Sequence, residues 1–162
     1  MMDSKNSLTE RSPRRLLKYL VFGFLVASFV GFLDAAYLSA KFFTGGTIPC
    51  TILDGCDVVT RSKYATISGA PIALLGALYY LALFILFALY QDSKRELFLK
   101  IAGALTVIGF LFSLRLVYLQ AFVLDAYCLY CLFSALTSVV LFALGMSVFF
   151  IFRMEDSDTS GV

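Results

Sequence analysis

The chain has 162 residues, of which 60% are hydrophobic and only 15% are charged. This composition excludes an ordinary soluble domain, in which about 25% of residues are charged, and it indicates that lipid is the solvent. The sequence contains no histidine, which excludes imidazole activation of a thiol and histidine metal sites. We expect no metal ion and no nucleic acid as a ligand. The net charge of +2 is less informative than the positions of the basic residues.

Four apolar segments exceed the length of about 18 residues that a membrane-spanning helix needs. They cover residues 19–40, 70–90, 101–122 and 127–152. The sequence therefore predicts an all-α membrane protein, a four-transmembrane-helix bundle over residues 19–152. We expect an N-terminal segment at 1–18, a C-terminal tail at 153–162 and no separate soluble domain.

Basic residues cluster on one side of the predicted bundle. Five precede the first span, three lie between the second and third spans, and Arg153 follows the fourth. By the positive-inside rule, both termini are cytoplasmic, and the loop at 41–69 and the turn at 123–126 lie outside. We expect a multi-pass protein of the bacterial inner membrane. A cleaved signal peptide is the alternative for the first apolar run, but that run is too long and lacks a clear A-x-A site.

The predicted outer loop carries Cys50 and Cys56 with five residues between them. Glycines and a proline within 45–49 end the first helix, and an Asp-Gly turn signal directly precedes Cys56. Residues 58–65 are half apolar, which predicts a short amphipathic helix along the membrane surface. Such a helix would form a lid on the bundle.

Cys128 and Cys131 form a C-x-x-C motif where the fourth span begins. Residues i and i+3 share a helix face, and the unpaired N–H groups of a helix N-terminus stabilise a thiolate. With Asp125 as the N-cap, Cys128 becomes the third helical residue. A thiolate is the attacking species in disulfide exchange, so this placement favours a catalyst. Two structural disulfides, or a zinc site of four cysteines, are the alternatives.

The order of these motifs along the chain resembles that of the vitamin K epoxide reductase family, in its stand-alone bacterial form. The likeness runs from about the first span to the end of the fourth. The residues that carry it are Cys50, Cys56, Ser62, Tyr64-Ala65, Gly69, Pro71, Gly76 and Cys128-Leu129-Tyr130-Cys131.

The resemblance implies a four-helix bundle around a quinone, ubiquinone or menaquinone, as the cofactor. It also implies that the C-x-x-C motif is the active site and that the loop pair is a shuttle. The expected relay passes electrons from a thioredoxin-like or DsbA-like dithiol protein to Cys50, from the Cys50–Cys56 pair to Cys128, and from Cys131 to the quinone. Because the chain stops at Val162, we expect this partner to be a separate periplasmic polypeptide. We expect the membrane protein itself to be a monomer.

Further candidate residues for the quinone site come from the family match and from the aromatic and ionisable residues of the spans. Ser62 matches a Ser or Thr of the family, whereas Pro71 and Ala135 stand where the animal enzymes carry Asn and Tyr. These departures favour a simple quinone over an epoxide as substrate. The expected quinone contacts are Cys131, Ser62, Tyr130, Phe112 and Arg115, with Tyr79 and Tyr80 as further aromatic candidates.

Two ionisable residues, Asp34 and Arg115, lie inside predicted spans, where ionisable groups are costly. Both are about 10 Å from the outer boundary, which predicts an ion pair that faces the bundle interior. Ser113 and Gln120 are also polar, and we interpret them as helix-packing residues.

Three other functions fit part of the pattern. The first is reduction of vitamin K epoxide in an endoplasmic-reticulum membrane. The second is a protein of the DsbB family, which also has four spans and two cysteine pairs but places C-x-x-C in its first outer loop. The third is a structural protein with passive disulfides, in which cysteine changes would lower stability without abolishing a quinone-linked reaction.

Overall fold

The computed structural model of the chain describes residues 3–46, 48, 55–67, 69–93 and 95–159. In chain order, its elements are α1 (Asp3–Thr44), α2 (Cys56–Arg61), β1 (Thr66–Ile67), β2 (Ala70–Pro71), α3 (Ile72–Ser93), α4 (Glu96–Phe122) and α5 (Leu129–Thr159). The two short strands pair antiparallel around Gly69, whose φ of 87° lies in the left-handed region that favours glycine.

Four helices in the described part of the chain are long and apolar enough to cross a membrane. The segments that qualify are Lys18–Thr44, Ile72–Ser93, Leu97–Phe122 and Leu129–Val148. The predicted all-α architecture with four spans is therefore confirmed, and the protein is a multi-pass membrane protein. Helices α1 and α5 extend beyond their apolar segments, to Asp3 and Thr159.

The four long helices form a closed ring in which α1 and α4 each pack against both α3 and α5. Near the connection between α3 and α4, the ring is filled by large side chains, and the rings of Phe24 and Phe87 stack with their centroids 4.0 Å apart. Ser28 and Thr106, both fully buried, donate to backbone carbonyls of their own helices. Buried hydroxyls at this end of the bundle therefore need no external partner.

The opposite end of the bundle is covered by α2 and the β1–β2 hairpin. Helix α2 begins directly after the Gly55 turn, where the N–H of Val59 donates to the Gly55 carbonyl at 2.9 Å. It ends because Ser62 is extended and both its N–H and its hydroxyl donate to the Val59 carbonyl, at 3.3 and 2.8 Å. The prediction of a short helix is confirmed, but its predicted bounds of 58–65 are wrong.

Candidate active site

Cys128 lies directly before the first residue of α5 and acts as its N-cap. Its carbonyl accepts the first intrahelical hydrogen bond, from the N–H of Leu132 at 3.0 Å, and its sulfur accepts one from the N–H of Cys131 at 3.4 Å. The prediction that Asp125 caps this helix is therefore wrong. Asp125 has a φ of 45°, because the chain turns sharply there between α4 and α5. A sulfur takes the place of the usual capping oxygen.

The environment of the Cys128 sulfur favours its thiolate form. The largest contribution is a hydrogen bond with the Cys131 thiol, and the N–H groups of Cys131 and Tyr130 add to it. These hydrogen bonds lower the pKa of Cys128, although burial and the negative charge of Asp34 oppose them. A thiol with a lowered pKa is both a better-populated nucleophile and a better leaving group in disulfide exchange.

Gln120, near the end of α4, holds the start of α5 in place. Its side chain is only 2% exposed, and its Oε1 accepts a hydrogen bond from the N–H of Cys128 at 2.9 Å. Its backbone carbonyl accepts a second one, from the N–H of Ala126 at 3.2 Å. The prediction that Gln120 packs helices together is confirmed, and its amide also positions a cysteine. An amide eight residues before a C-x-x-C motif was the available signal.

Cys131 faces a cavity of about 310 Å³ at the covered end of the bundle. This volume is at the lower end of the range of about 300–1,000 Å³ that is typical of small-molecule sites. The walls are mostly apolar and come from all four long helices and from the segment between α2 and α3. Cys128 does not line this cavity and is fully buried beside it. The two cysteines of the motif therefore have different surroundings.

The other predicted quinone contacts divide into two groups. Ser62 and Phe112 line the cavity together with Cys131. Tyr130 and Arg115 do not line it: the ring of Tyr130 packs against Tyr37 of α1, with centroids 5.4 Å apart, and the Arg115 side chain is exposed. The Ser62 hydroxyl donates to the Val59 carbonyl and so ties the end of α2 beside the cavity.

The predicted ion pair between Asp34 and Arg115 is wrong. Arg115 is exposed, and the Oδ2 atom of Asp34 is buried without a hydrogen-bond partner among the described residues. Equal depth in the membrane predicts the position of each residue along its helix axis, but it does not predict the direction in which the side chain points. Arg115 is rotated by about 100° around the helix from Leu116, which faces the cavity.

Cys56 lies in a buried cluster with Cys128. It is 1% exposed, is disulfide-bonded, and shares this cluster with Leu38, Ile48 and Val59. Cys128 and Cys131, in contrast, are free thiols. The predicted first shuttle residue, Cys50, lies outside the described residues, so its pairing stays a prediction.

Gly55 brings the two cysteine-bearing segments into direct backbone contact. A Cβ atom at this position would lie 2.7 Å from both the backbone N and the backbone O of Tyr127, the residue before Cys128. Only a residue without a side chain allows this approach without displacement of one segment. The contact therefore places Cys56, the residue after Gly55, next to the start of α5.

The hydrogen bond between the two free thiols leads to a prediction about the ionisation of Cys128. In a protein with Cys50→Ala and Cys56→Ala, the added change Cys131→Ala should raise the pKa of Cys128, because it removes the largest stabilising contribution. A further Asp34→Asn change should then lower this pKa, because the opposing charge is gone. The thiolate ultraviolet absorbance measures both shifts. Shifts of the same sign, with Cys128→Ala as the baseline, would contradict this assignment.

The comparisons agree with this geometry. No curated protein matches the chain. The model of the vitamin K epoxide reductase family matches residues 23–146, a segment that includes both cysteine pairs and most of the residues around the cavity. Proteins of this family are membrane oxidoreductases that link thiol–disulfide chemistry to quinones. Because the match covers most of its length, the chain belongs to the vitamin K epoxide reductase family.

Proposed function

We propose that this protein oxidises the dithiol of a thioredoxin-like or DsbA-like protein and reduces a membrane quinone, and so drives disulfide formation. One observation carries the proposal: the free Cys128–Cys131 pair lies between the buried cluster that contains Cys56 and the apolar cavity. Cys128 lies in a buried cluster with the disulfide-bonded Cys56, and Cys131 faces an apolar cavity.

The net reaction transfers two electrons and two protons. The partner dithiol becomes a disulfide, and the quinone becomes a quinol. The partner reduces the Cys50–Cys56 disulfide, and the Cys56 thiolate then attacks Cys128 in an oxidised Cys128–Cys131 pair, with Cys131 as the leaving thiolate. Cys50 next attacks Cys56, which releases Cys128 as a thiolate. The electrons then reside on the Cys128–Cys131 dithiol, and the loop disulfide has formed again.

The pairing of the cysteines fits this sequence, because Cys56 is disulfide-bonded whereas Cys128 and Cys131 are free thiols. The lowered pKa of Cys128 supports its role as the thiol that exchanges with the loop pair.

The residues around the cavity fit a quinone headgroup. Phe112 and the aliphatic side chains provide an apolar wall, and Cys131 provides the redox-active sulfur. Such sites are typically apolar with a few polar groups that fix the orientation of the ligand. When bound, a quinone supplies a two-electron acceptor. Cys131 is the cysteine of the pair that lines the cavity, and we assign it the transfer of electrons to ubiquinone or menaquinone.

We further propose that the cysteines face the periplasm across a bacterial inner membrane. The distribution of basic residues supports this orientation, because eight of the thirteen Lys and Arg residues lie within residues 1–18 and 91–100. A periplasmic location also allows the disulfides to persist.

Quinone turnover in spheroplasts tests the function and the orientation together. A reduced thioredoxin-like protein, added from outside, should support formation of quinol from a short-chain ubiquinone or menaquinone. Turnover should stop with Cys131→Ala, whereas vitamin K epoxide should not be reduced. Epoxide reduction at a rate equal to that of the quinone would overturn the substrate assignment. Turnover that requires a donor on the cytoplasmic side would overturn the orientation.

A further inference from the structure

Two hydroxyl groups at the cavity have no hydrogen-bond partner among the described residues. The phenol oxygen of Tyr79 on α3 and the Oγ of Ser138 on α5 are both buried, and both residues line the cavity. The two groups are close enough to interact, but they do not meet in hydrogen-bond geometry. A buried hydroxyl without a partner costs about 1–3 kcal/mol, so two of them in one cavity point to a ligand.

Other hydroxyl groups at this site do have hydrogen-bond partners within the protein. Tyr80, the next residue along α3, has its hydroxyl 2.7 Å from the Ser134 carbonyl and 2.9 Å from the Ser134 Oγ. The Thr60 and Ser62 hydroxyls donate to carbonyls within α2. The unpaired state of Tyr79 and Ser138 is therefore specific to them and is not a general property of the cavity wall.

The ring of Tyr79 lies close to the backbone of α4. A Cβ atom at Gly109 would overlap the phenol oxygen of Tyr79 and the ring carbon that bears it. Gly109 also lines the cavity. A glycine at this position lets the ring pass close to the helix backbone and keeps the hydroxyl at the cavity wall.

The two hydroxyls lie deeper in the bundle than the reactive thiol. Ser138 follows Cys131 by seven residues, which is about two helical turns or about 10 Å along α5, and the two side chains share one face of the helix. A quinone carries two carbonyl oxygens on opposite sides of its ring. One end of the ring can thus approach Cys131 while the other approaches the two hydroxyls.

We propose that Tyr79 and Ser138 bind the carbonyl of the quinone that points away from Cys131, each by donating a hydrogen bond. This inference rests on the proposed quinone reduction and names the residues that orient the ring. It also explains how this chain holds a quinone although Pro71 and Ala135 cannot offer the side-chain amide and phenol expected of the animal enzymes. The expected ligand is a benzoquinone or naphthoquinone with an unmodified carbonyl.

Equilibrium binding of a short-chain ubiquinone tests the proposal without turnover. Tyr79→Phe and Ser138→Ala should each raise the Kd roughly threefold to tenfold, as expected for the loss of one hydrogen bond. Neither change should lower the melting temperature of the quinone-free protein, because neither hydroxyl has a hydrogen-bond partner to lose in the described part of the chain. The matched controls are Tyr118→Phe, an exposed tyrosine, and Ser147→Ala, whose hydroxyl donates to its own helix. Both controls should leave the Kd unchanged.

The infrared stretch of the quinone carbonyl distinguishes binding from an indirect effect. In the unchanged protein, one carbonyl band should shift to lower frequency on binding, and Tyr79→Phe should reverse part of this shift. Gly109→Ala should weaken binding like Tyr79→Phe because it displaces the phenol, whereas Gly103→Ala, with open space around its Cβ position, should not.

The outcomes separate this proposal from the proposed function. If the unchanged protein binds no quinone, the proposed function fails as well. If it binds quinone but the Kd and the carbonyl band are the same in Tyr79→Phe and Ser138→Ala, only the assignment of these residues is overturned. Lower melting temperatures with unchanged quinone affinity would show that the two hydroxyls hold a structural water molecule instead, and would also overturn it.

Discussion

The Cys131→Ser protein is expected to lose quinone-linked turnover and to accumulate a disulfide between Cys56 and Cys128. The Cys128 thiolate attacks the Cys56 sulfur of the loop disulfide and releases Cys50 as a thiolate. Because Cys131 is missing, no neighbouring thiol can attack Cys128 in this mixed disulfide and release Cys56. The shared buried cluster of Cys56 and Cys128 favours this product.

Mass spectrometry of a non-reduced digest identifies the trapped bond. The peptide pair that contains Cys56 and Cys128 should predominate in Cys131→Ser and should be absent when Cys56→Ala is added. Reduction by a small dithiol should restore free thiols in Cys131→Ser without restoring turnover. A bond between Cys50 and Cys128 as the main product would show that the roles of the two loop cysteines are exchanged.

Gly55→Ala is expected to slow exchange between the loop pair and the C-x-x-C pair by about tenfold to a hundredfold. The new Cβ atom would lie 2.7 Å from backbone atoms of Tyr127, and a backbone cannot move aside as a flexible side chain can. The loop must therefore shift away from the start of α5. A displacement of about 1 Å between reacting groups can cost about 10²-fold in rate.

Stopped-flow mixing of the oxidised protein with the reduced donor isolates this effect. Turnover supported by the protein donor should fall, whereas direct reduction of the Cys128–Cys131 disulfide by a small dithiol should be as fast as before or faster. Gly103→Ala is the matched control, because a methyl group there meets nothing within 4 Å. If Gly55→Ala leaves donor-supported turnover unchanged, the contact between these segments is not part of the relay.

The spans could be predicted because membrane crossing depends on composition and length alone. The face that each helix turns inward could not be predicted in the same way, because these helices are apolar all round and show no polar stripe. Arg115 illustrates the difference. Its depth along α4 was evident from the sequence, but its exposure depends on the rotation of the helix, which packing against α3 and α5 determines.

The C-x-x-C motif predicted that Cys128 and Cys131 lie close together at a helix start, because residues i and i+3 share a helix face. The detailed geometry depended on the turn before α5. The left-handed conformation of Asp125 makes the helix begin at Leu129 and turns Cys128 into its cap. No local pattern in the sequence indicates this conformation, since an Asp before a helix more often caps it.

Sequence patterns could not predict which residues form hydrogen bonds across the bundle. Tyr79 and Tyr80 are adjacent and chemically identical, yet the Tyr80 hydroxyl bonds Ser134 and the Tyr79 hydroxyl has no partner among the residues that the structure describes. The difference comes from which helix each ring meets: Gly109 of α4 lies against Tyr79, and Gly31 of α1 lies against Tyr80. Only the packed bundle reveals these pairings.

The central claim is that both cysteine pairs pass their electrons to a quinone through Cys131. The most direct test is to count the quinol formed when the fully reduced protein meets excess quinone in the absence of any donor and of oxygen. Four thiols form two disulfides, so the unchanged chain should produce two quinols, Cys56→Ala should produce one, and Cys131→Ala should produce none. One quinol from the Cys131→Ala protein, or none from the unchanged protein, would contradict the account.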